Sequence, residues 1–276
     1  MRGSSNSMVH HYNYGIDELA FFDNGEINKP VVLLIHGFGE DYHIWKAQID
    51  YLSQYYRVIA PNLPGVHCKP LNIHYSQLPQ INMYVEVMHE LMHHLNIEQY
   101  YVMGHSMGGY IGLAFADYYT NHVMGLGLIH STTYADTEAK KASRMKVAEF
   151  IQEWGVSKYL ETATPNLFGD AFKKTNPETI QDVIDGGLGT SQEAMIQFVF
   201  AMRNRKAMTH LLQQYNLPIW IIAGEADLAV PIQDSLEQIK FLPSSNSLVL
   251  KEVGHMGMLE ATDQVNEFIH QCIQSA

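Results

Sequence analysis

Residues 98–118 hold the feature that most constrains what this chain can become. Glu98-Gln99-Tyr100-Tyr101-Val102-Met103 reads as a short apolar strand, and the stretch from Tyr110 to Tyr118 reads as a helix with an apolar face. Between them lies Gly104-His105-Ser106-Met107-Gly108-Gly109, which places Ser106 on a strand-to-helix turn inside Gly-x-Ser-x-Gly. Such a turn forces its serine into a strained backbone conformation and pushes the hydroxyl clear of the sheet. Gly104 and Gly108 remove side chains that would collide across the turn, and Gly108, Gly109 and Gly112 let the helix press close. The start of a helix also carries unpaired N–H groups that favour developing negative charge. A serine at this place equally suits a helix cap, so partners elsewhere in the chain must decide its role.

Around this turn, apolar runs alternate with helical stretches. Residues 9–14 and 17–22 read as an opening antiparallel pair, with Asp23-Asn24-Gly25 as a turn. Pro30-Val31-Val32-Leu33-Leu34-Ile35 is continuously apolar, the pattern of a strand buried on both faces. Helices are expected near 43–54 and 81–95, and further strands at 56–60, 124–129, 217–223 and 247–250. Together these predict an α/β fold, a doubly wound, mostly parallel sheet of eight strands. From 131 to 206 the strand signal vanishes, and helical segments at 138–154, 177–184 and 191–205 replace it. That stretch reads as a helical cap inserted between core segments 8–130 and 207–276. Val265, Phe268, Ile269, Cys272 and Ile273 form the packing stripe of a last helix.

Composition excludes several classes of function. A net charge of −12 argues against nucleic acid or an anionic membrane as partner. Cys68 and Cys272 are the only cysteines, so no disulfide framework exists, and a reducing cytoplasm fits. No apolar run reaches membrane-spanning length. Met1-Arg2-Gly3-Ser4-Ser5-Asn6-Ser7 reads as an appended leader, with Met8 as the native start.

A serine hydroxyl becomes a nucleophile when a base takes its proton, and that base needs an acid to fix its tautomer. Among 15 histidines, His255 is best placed, because Val253-Gly254-His255 directly follows the last strand. Gly224-Glu225-Ala226-Asp227 follows the preceding strand and supplies the acid, with Asp227 the first choice and Glu225 the second. The order Ser106, Asp227, His255 suits an open α/β sheet.

With these pieces the chain resembles the α/β-hydrolase superfamily of esterases and lipases over essentially its whole length. The matching motifs are His36-Gly37-Phe38-Gly39, Gly104-His105-Ser106-Met107-Gly108-Gly109, Gly224-Glu225-Ala226-Asp227 with Pro231, and Gly254-His255. The resemblance implies Asp227 as the acid after the seventh strand. The alternative place after the sixth holds His130-Ser131-Thr132-Thr133, with no carboxylate before Asp136. It also implies an oxyanion hole from the backbone N–H groups of Phe38 and Met107, with His36 holding that loop. Trp45, His105 and Leu228 are pocket-lining candidates, packing being an equal role for Trp45 and His105. Where the family commonly reads Pro-Asp-x-x-Gly-x-Gly, this chain has Pro61-Asn62-Leu63-Pro64-Gly65-Val66-His67. Epoxide hydrolases and haloalkane dehalogenases carry Asp at the nucleophile position, so Ser106 argues against both.

His89-Glu90-Leu91-Met92-His93 matches a zinc-protease pattern, but it falls on the polar side of its helix and lacks a third ligand. The expected protein is therefore a serine hydrolase of small-molecule esters, thioesters or lactones that needs no metal or other cofactor. The same triad in this superfamily also performs carbon–carbon bond hydrolysis, lyase and cofactor-free haloperoxidase chemistry. As a scaffold it also serves as a weakly catalytic receptor. Natural substrate and oligomeric state stay open.

Overall fold

The computed structural model describes residues 8–15, 17–73, 78–213 and 217–276, so the expected leader lies outside the described residues. Eight strands form one sheet: β1 (Val9–Asn13), β2 (Glu18–Asp23), β3 (Val31–Ile35), β4 (Arg57–Pro61), β5 (Tyr100–His105), β6 (Val123–Ile129), β7 (Ile219–Gly224) and β8 (Ser247–Leu250). Their order is β1-β2-β4-β3-β5-β6-β7-β8. The β1–β2 and β2–β4 pairs are antiparallel, and every other pair is parallel. Every residue of β4, β5 and β7 is buried, as expected of strands covered by helices on both faces.

Helices α1 (Lys46–Leu52), α2 (Ile81–His94) and α3 (Met107–Tyr118) connect the first strands. Between β6 and β7 the described chain is helical: α4 (Glu138–Ala163), α5 (Asp170–Thr175), α6 (Pro177–Gly187) and α7 (Gln192–Asn204). Helices α8 (Ile232–Ile239), α9 (Gly257–Glu260) and α10 (Thr262–Gln274) complete the chain. The sequence predicts a helix that stops at 154, and Gly155 indeed breaks α4 with φ 82° and ψ 172°, after which a second segment continues to Ala163. The six residues of α5 are too few to show a helical period, so the sequence predicts no helix there.

Strand order decides where a site can form. The chain leaves β3 toward β4 on one side, then crosses back to β5 on the other. Loops after β3 and β5 therefore diverge at a switch point, where an open α/β sheet has its crevice. His36 to Glu40 and Ser106 occupy those two loops. In the loop after β4, Asn62 stands where the family has Asp, and its Oδ1 accepts the Tyr42 N–H at 2.9 Å. His67 takes a left-handed φ of 55° where the family has glycine, and its N–H donates to Gly189 O at 2.8 Å.

Candidate active site

Ser106 sits between β5 and α3 with φ 50° and ψ −112°, a strained geometry for a residue with a side chain. The turn closes only because of its glycines. A methyl on Gly104 would overlap the Gly108 carbonyl, and one on Gly108 would overlap the Ile35 carbonyl of β3. Gly108 thus presses on β3, the neighbour of the strand expected. Ser106 N–H donates to Ile129 O at 2.9 Å, and Ser131 Oγ donates to Ser106 O at 2.8 Å. The backbone is pinned on both sides while the hydroxyl bonds to no described residue.

Asp227 and His255 are buried. His255 Nδ1 lies 2.7 Å from Asp227 Oδ2, while Oδ1 accepts the Ala229 and Val230 N–H groups at 2.8 and 2.9 Å. Burial would raise the Asp227 pKa, but the charge of His255 and the hydrogen bonds of His130 and His255 hold it well below the carboxylate range. Glu225, the second choice, is exposed and makes no such contact. Ser106 and His255 border one cavity, together with Phe38, Tyr159, Leu160 and Met202. His255 makes no hydrogen bond to Ser106 Oγ among the described residues. Bonds of this kind commonly tighten when substrate fills the site.

The loop after β3 is held by its own peptide plane. His36 Nδ1 lies 2.9 Å from Gly37 O, and His36 Nε2 accepts the Leu63 N–H at 3.0 Å, so the proton belongs on Nδ1. A trans peptide points its C=O and N–H in opposite directions. Anchoring the Gly37 carbonyl therefore aims the Phe38 N–H the other way. Met107 is the first residue of α3, and its N–H has no partner within the helix.

Sequence reasoning missed two residues. Glu40 is buried, accepts the Gly37 N–H at 2.7 Å and lies 2.9 Å from His105 Nδ1. His105 Nε2 lies 2.9 Å from the His255 carbonyl oxygen, so both of its ring nitrogens face acceptors and both must carry protons. Burial works against this cation, but the Glu40 charge and hydrogen bond raise the His105 pKa overall. His130 is the second: its Nε2 accepts the Gly257 N–H at 3.2 Å, leaving Nδ1–H to donate to Asp227 Oδ2 at 3.3 Å. Burial pushes the His130 pKa down to about 4. The position of Glu40 beside His36-Gly37-Phe38-Gly39, and of His130 at the end of β6, were the available signals.

Of the pocket-lining candidates, Trp45 and His105 take the packing role and Leu228 lies at the surface. Trp45 is fully buried, with its ring 6.4 Å from His105 at 86°, and packs behind the site. His105 is equally buried and belongs to the ion pair with Glu40. Leu228 is 77% exposed and does not line the Ser106 cavity. Of the zinc-like pattern, Glu90 and His93 are exposed and His89 stacks on Tyr119 at 3.8 Å. Among the described residues, the cluster with metal-ligand spacing is His130, Asp227 and His255. There, His130 Nδ1 carries a proton directed at the carboxylate, a hydrogen-bonding arrangement rather than a set of converging lone pairs.

The His255 loop is tied to the helical insertion. His255 N–H donates to Leu167 O at 2.6 Å. Glu260 accepts from Gly169, Gly254 and Met256 N–H groups at 2.8, 3.0 and 3.2 Å.

Comparison with known proteins agrees with this fold. The family model described as the alpha/beta hydrolase fold matches residues 30–176, just over half the chain. The chain belongs to this family and is a hydrolase. Lipase 1 of Psychrobacter immobilis is 25% identical over 90% of this chain and 78% of that protein. The magnesium-chelatase 30 kDa subunit of Rhodobacter capsulatus is 28% identical over 90% of this chain and 88% of its own length. A thermophilic esterase from Thermogutta terrifontis, solved with malate bound, superposes with a TM-score of 0.86 at 27% identity, covering 97% of this chain and 98% of that one. Among the described residues, no helix is long and apolar enough to cross a membrane.

Proposed function

We propose that this hydrolase cleaves small carboxylic esters through an acyl-enzyme, with Ser106 as nucleophile, His255 as base and Asp227 as the group that orients it. The observation that carries this reading is His255 fixed on Asp227 by its Nδ1, which leaves Nε2 free in the cavity that holds the Ser106 hydroxyl. Ser106 Oγ attacks the acyl carbon as His255 takes its proton. The imidazolium then protonates the departing alcohol as the ester C–O bond breaks. Water deprotonated by His255 releases the acid and restores Ser106. The N–H groups of Phe38 and Met107 stabilise the oxyanion, each such donor being worth about 3–4 kcal/mol.

In this reading the helices of residues 131–206 act as a cap over the nucleophile, since Tyr159, Leu160, Leu167 and Met202 come from them. The cavity measures about 120 Å³. Sites for drug-sized ligands run to roughly 300–1,000 Å³, so a short acyl chain is favoured. Hydrolysis of p-nitrophenyl acetate and butyrate by the wild type and by Ser106→Ala tests the mechanism. Turnover is expected from the wild type and lost in the variant, and turnover that survives the substitution refutes the assignment.

A further inference from the structure

Two cations, Lys140 and Arg144, wall the Ser106 cavity on its helical side. They stand four residues apart on α4, a spacing at which like charges destabilise a helix. Each is held in place by one bond. Lys140 Nζ donates to Ala229 O at 2.9 Å, and Arg144 Nε donates to Asp136 Oδ2 at 3.1 Å. Asp136 gives its other oxygen to Arg205 Nη1 at 2.7 Å, and the Arg205 guanidinium lies 3.9 Å over the Tyr110 ring.

Two arginines therefore share one carboxylate and Lys140, unpaired among the described residues, stands beside them, leaving two positive charges beside the nucleophile in a chain whose net charge is −12. The remaining anions at the site are committed: Glu40 to His105 and Gly37, Asp227 to His255, His130 and two backbone N–H groups. Burial, then repulsion from Arg144, lowers the Lys140 pKa. Among the described residues Lys140 has no ion-pair partner, and the Nη atoms of Arg144 make no hydrogen bond. Holding unpaired cations in a half-buried wall is costly, and a bound carboxylate would offset that cost with charge-assisted bonds, bidentate at arginine.

Resting on the ester-hydrolase reading, we propose that Lys140 and Arg144 form a carboxylate-binding subsite, and that the substrates are small esters carrying a free carboxylate. The test compares kcat/KM, followed by acid release, for monoethyl succinate against ethyl butyrate, and for O-acetylglycolate against propyl acetate. These pairs place the carboxylate on the acyl side and on the alcohol side. In the wild type at least one charged ester should exceed its neutral counterpart by about tenfold, the value of one charge-assisted contact. That ratio should fall by about tenfold in Arg144→Gln and in Lys140→Met, the second of which leaves Asp136 and its arginines untouched. Because the readout is a ratio within each variant, a general loss of activity cancels. Calorimetric titration of Ser106→Ala with succinate gives a measurement independent of turnover. Neutral esters turned over without charge preference, and no succinate binding, would overturn the subsite and leave the hydrolase reading standing. Succinate binding that weakens in Arg144→Gln, with no ester turned over, would support the subsite and remove the hydrolase reading.

Discussion

Two buried carboxylates lie near Ser106, and each meets a buried histidine, one ring charged and the other neutral. Glu40 faces His105, whose nitrogens both point at acceptors, so the ring is a cation. Asp227 faces His130, whose nitrogens point at one acceptor and one donor, so the ring is neutral. Each pair sets a carboxylate against an imidazole, and both pairs are buried. What differs is the second hydrogen bond: a carbonyl oxygen beside His105, a peptide N–H beside His130. Burial alone does not set a histidine's charge; the donor or acceptor behind it does. The consequence is a division of labour. The Glu40–His105 pair grips the loop after β3 through Gly37 and the His255 loop through its carbonyl. Asp227 is left free to orient the His255 ring.

The largest expected effect falls on the Asp227 side. Asp227→Asn should keep the fold and lower kcat by about 10⁴, because an amide no longer holds the imidazole in its working tautomer. Steady-state kinetics with unchanged circular dichroism would show it, and a loss under tenfold would mean that another acid serves His255.

Glu40→Gln should instead be a stability lesion. It leaves a buried imidazolium without its counter-charge, which costs about 3–5 kcal/mol and lowers Tm on the order of 10 °C. An unchanged Tm in thermal unfolding would show that His105 is not charged.

The pH dependence of stability separates the two histidines by sign. His130 titrates near 4 when folded, against 6.5 for an ordinary histidine. Between those values the unfolded chain binds a proton that the folded chain does not, so stability falls on acidification, by about 3 kcal/mol over the window. His105 has a raised pKa, so its contribution is complete below 6.5 and fades as pH climbs through the folded value. Urea unfolding from pH 7 to pH 4 should therefore show a steady loss, flattened in His130→Asn. The same slope in both proteins would contradict the assignment. At the small end, Leu228→Ala should change kcat/KM by less than about twofold, as expected of an exposed side chain. A larger loss in an ester assay would return it to the pocket.

Much of this was legible in the sequence because its signals are local. Continuous apolar runs marked the inner strands, and Gly-x-Ser-x-Gly marked the turn after β5. His255 and Asp227 stand out as candidates because each lies in the loop after a strand. The Glu40–His105 and His130–Asp227 contacts join residues 65 and 97 positions apart. Strand order alone brings such groups together, and no periodicity announces it. In the sequence Trp45 keeps two open roles, and Leu228 is misplaced, for a related reason: position in the chain gives their neighbourhood but not their direction. In the insertion, nothing local to the sequence separates Lys140 and Arg144 from ordinary helix charges; the packing of α4 alone brings them to the Ser106 cavity.

The central claim is that Ser106 is an activated nucleophile. Fluorophosphonate labelling followed by peptide mass spectrometry tests it directly. A single phosphonylated peptide containing Ser106, absent from Ser106→Ala, is the predicted result. No adduct on the wild type, or an adduct that persists in the variant, would contradict it.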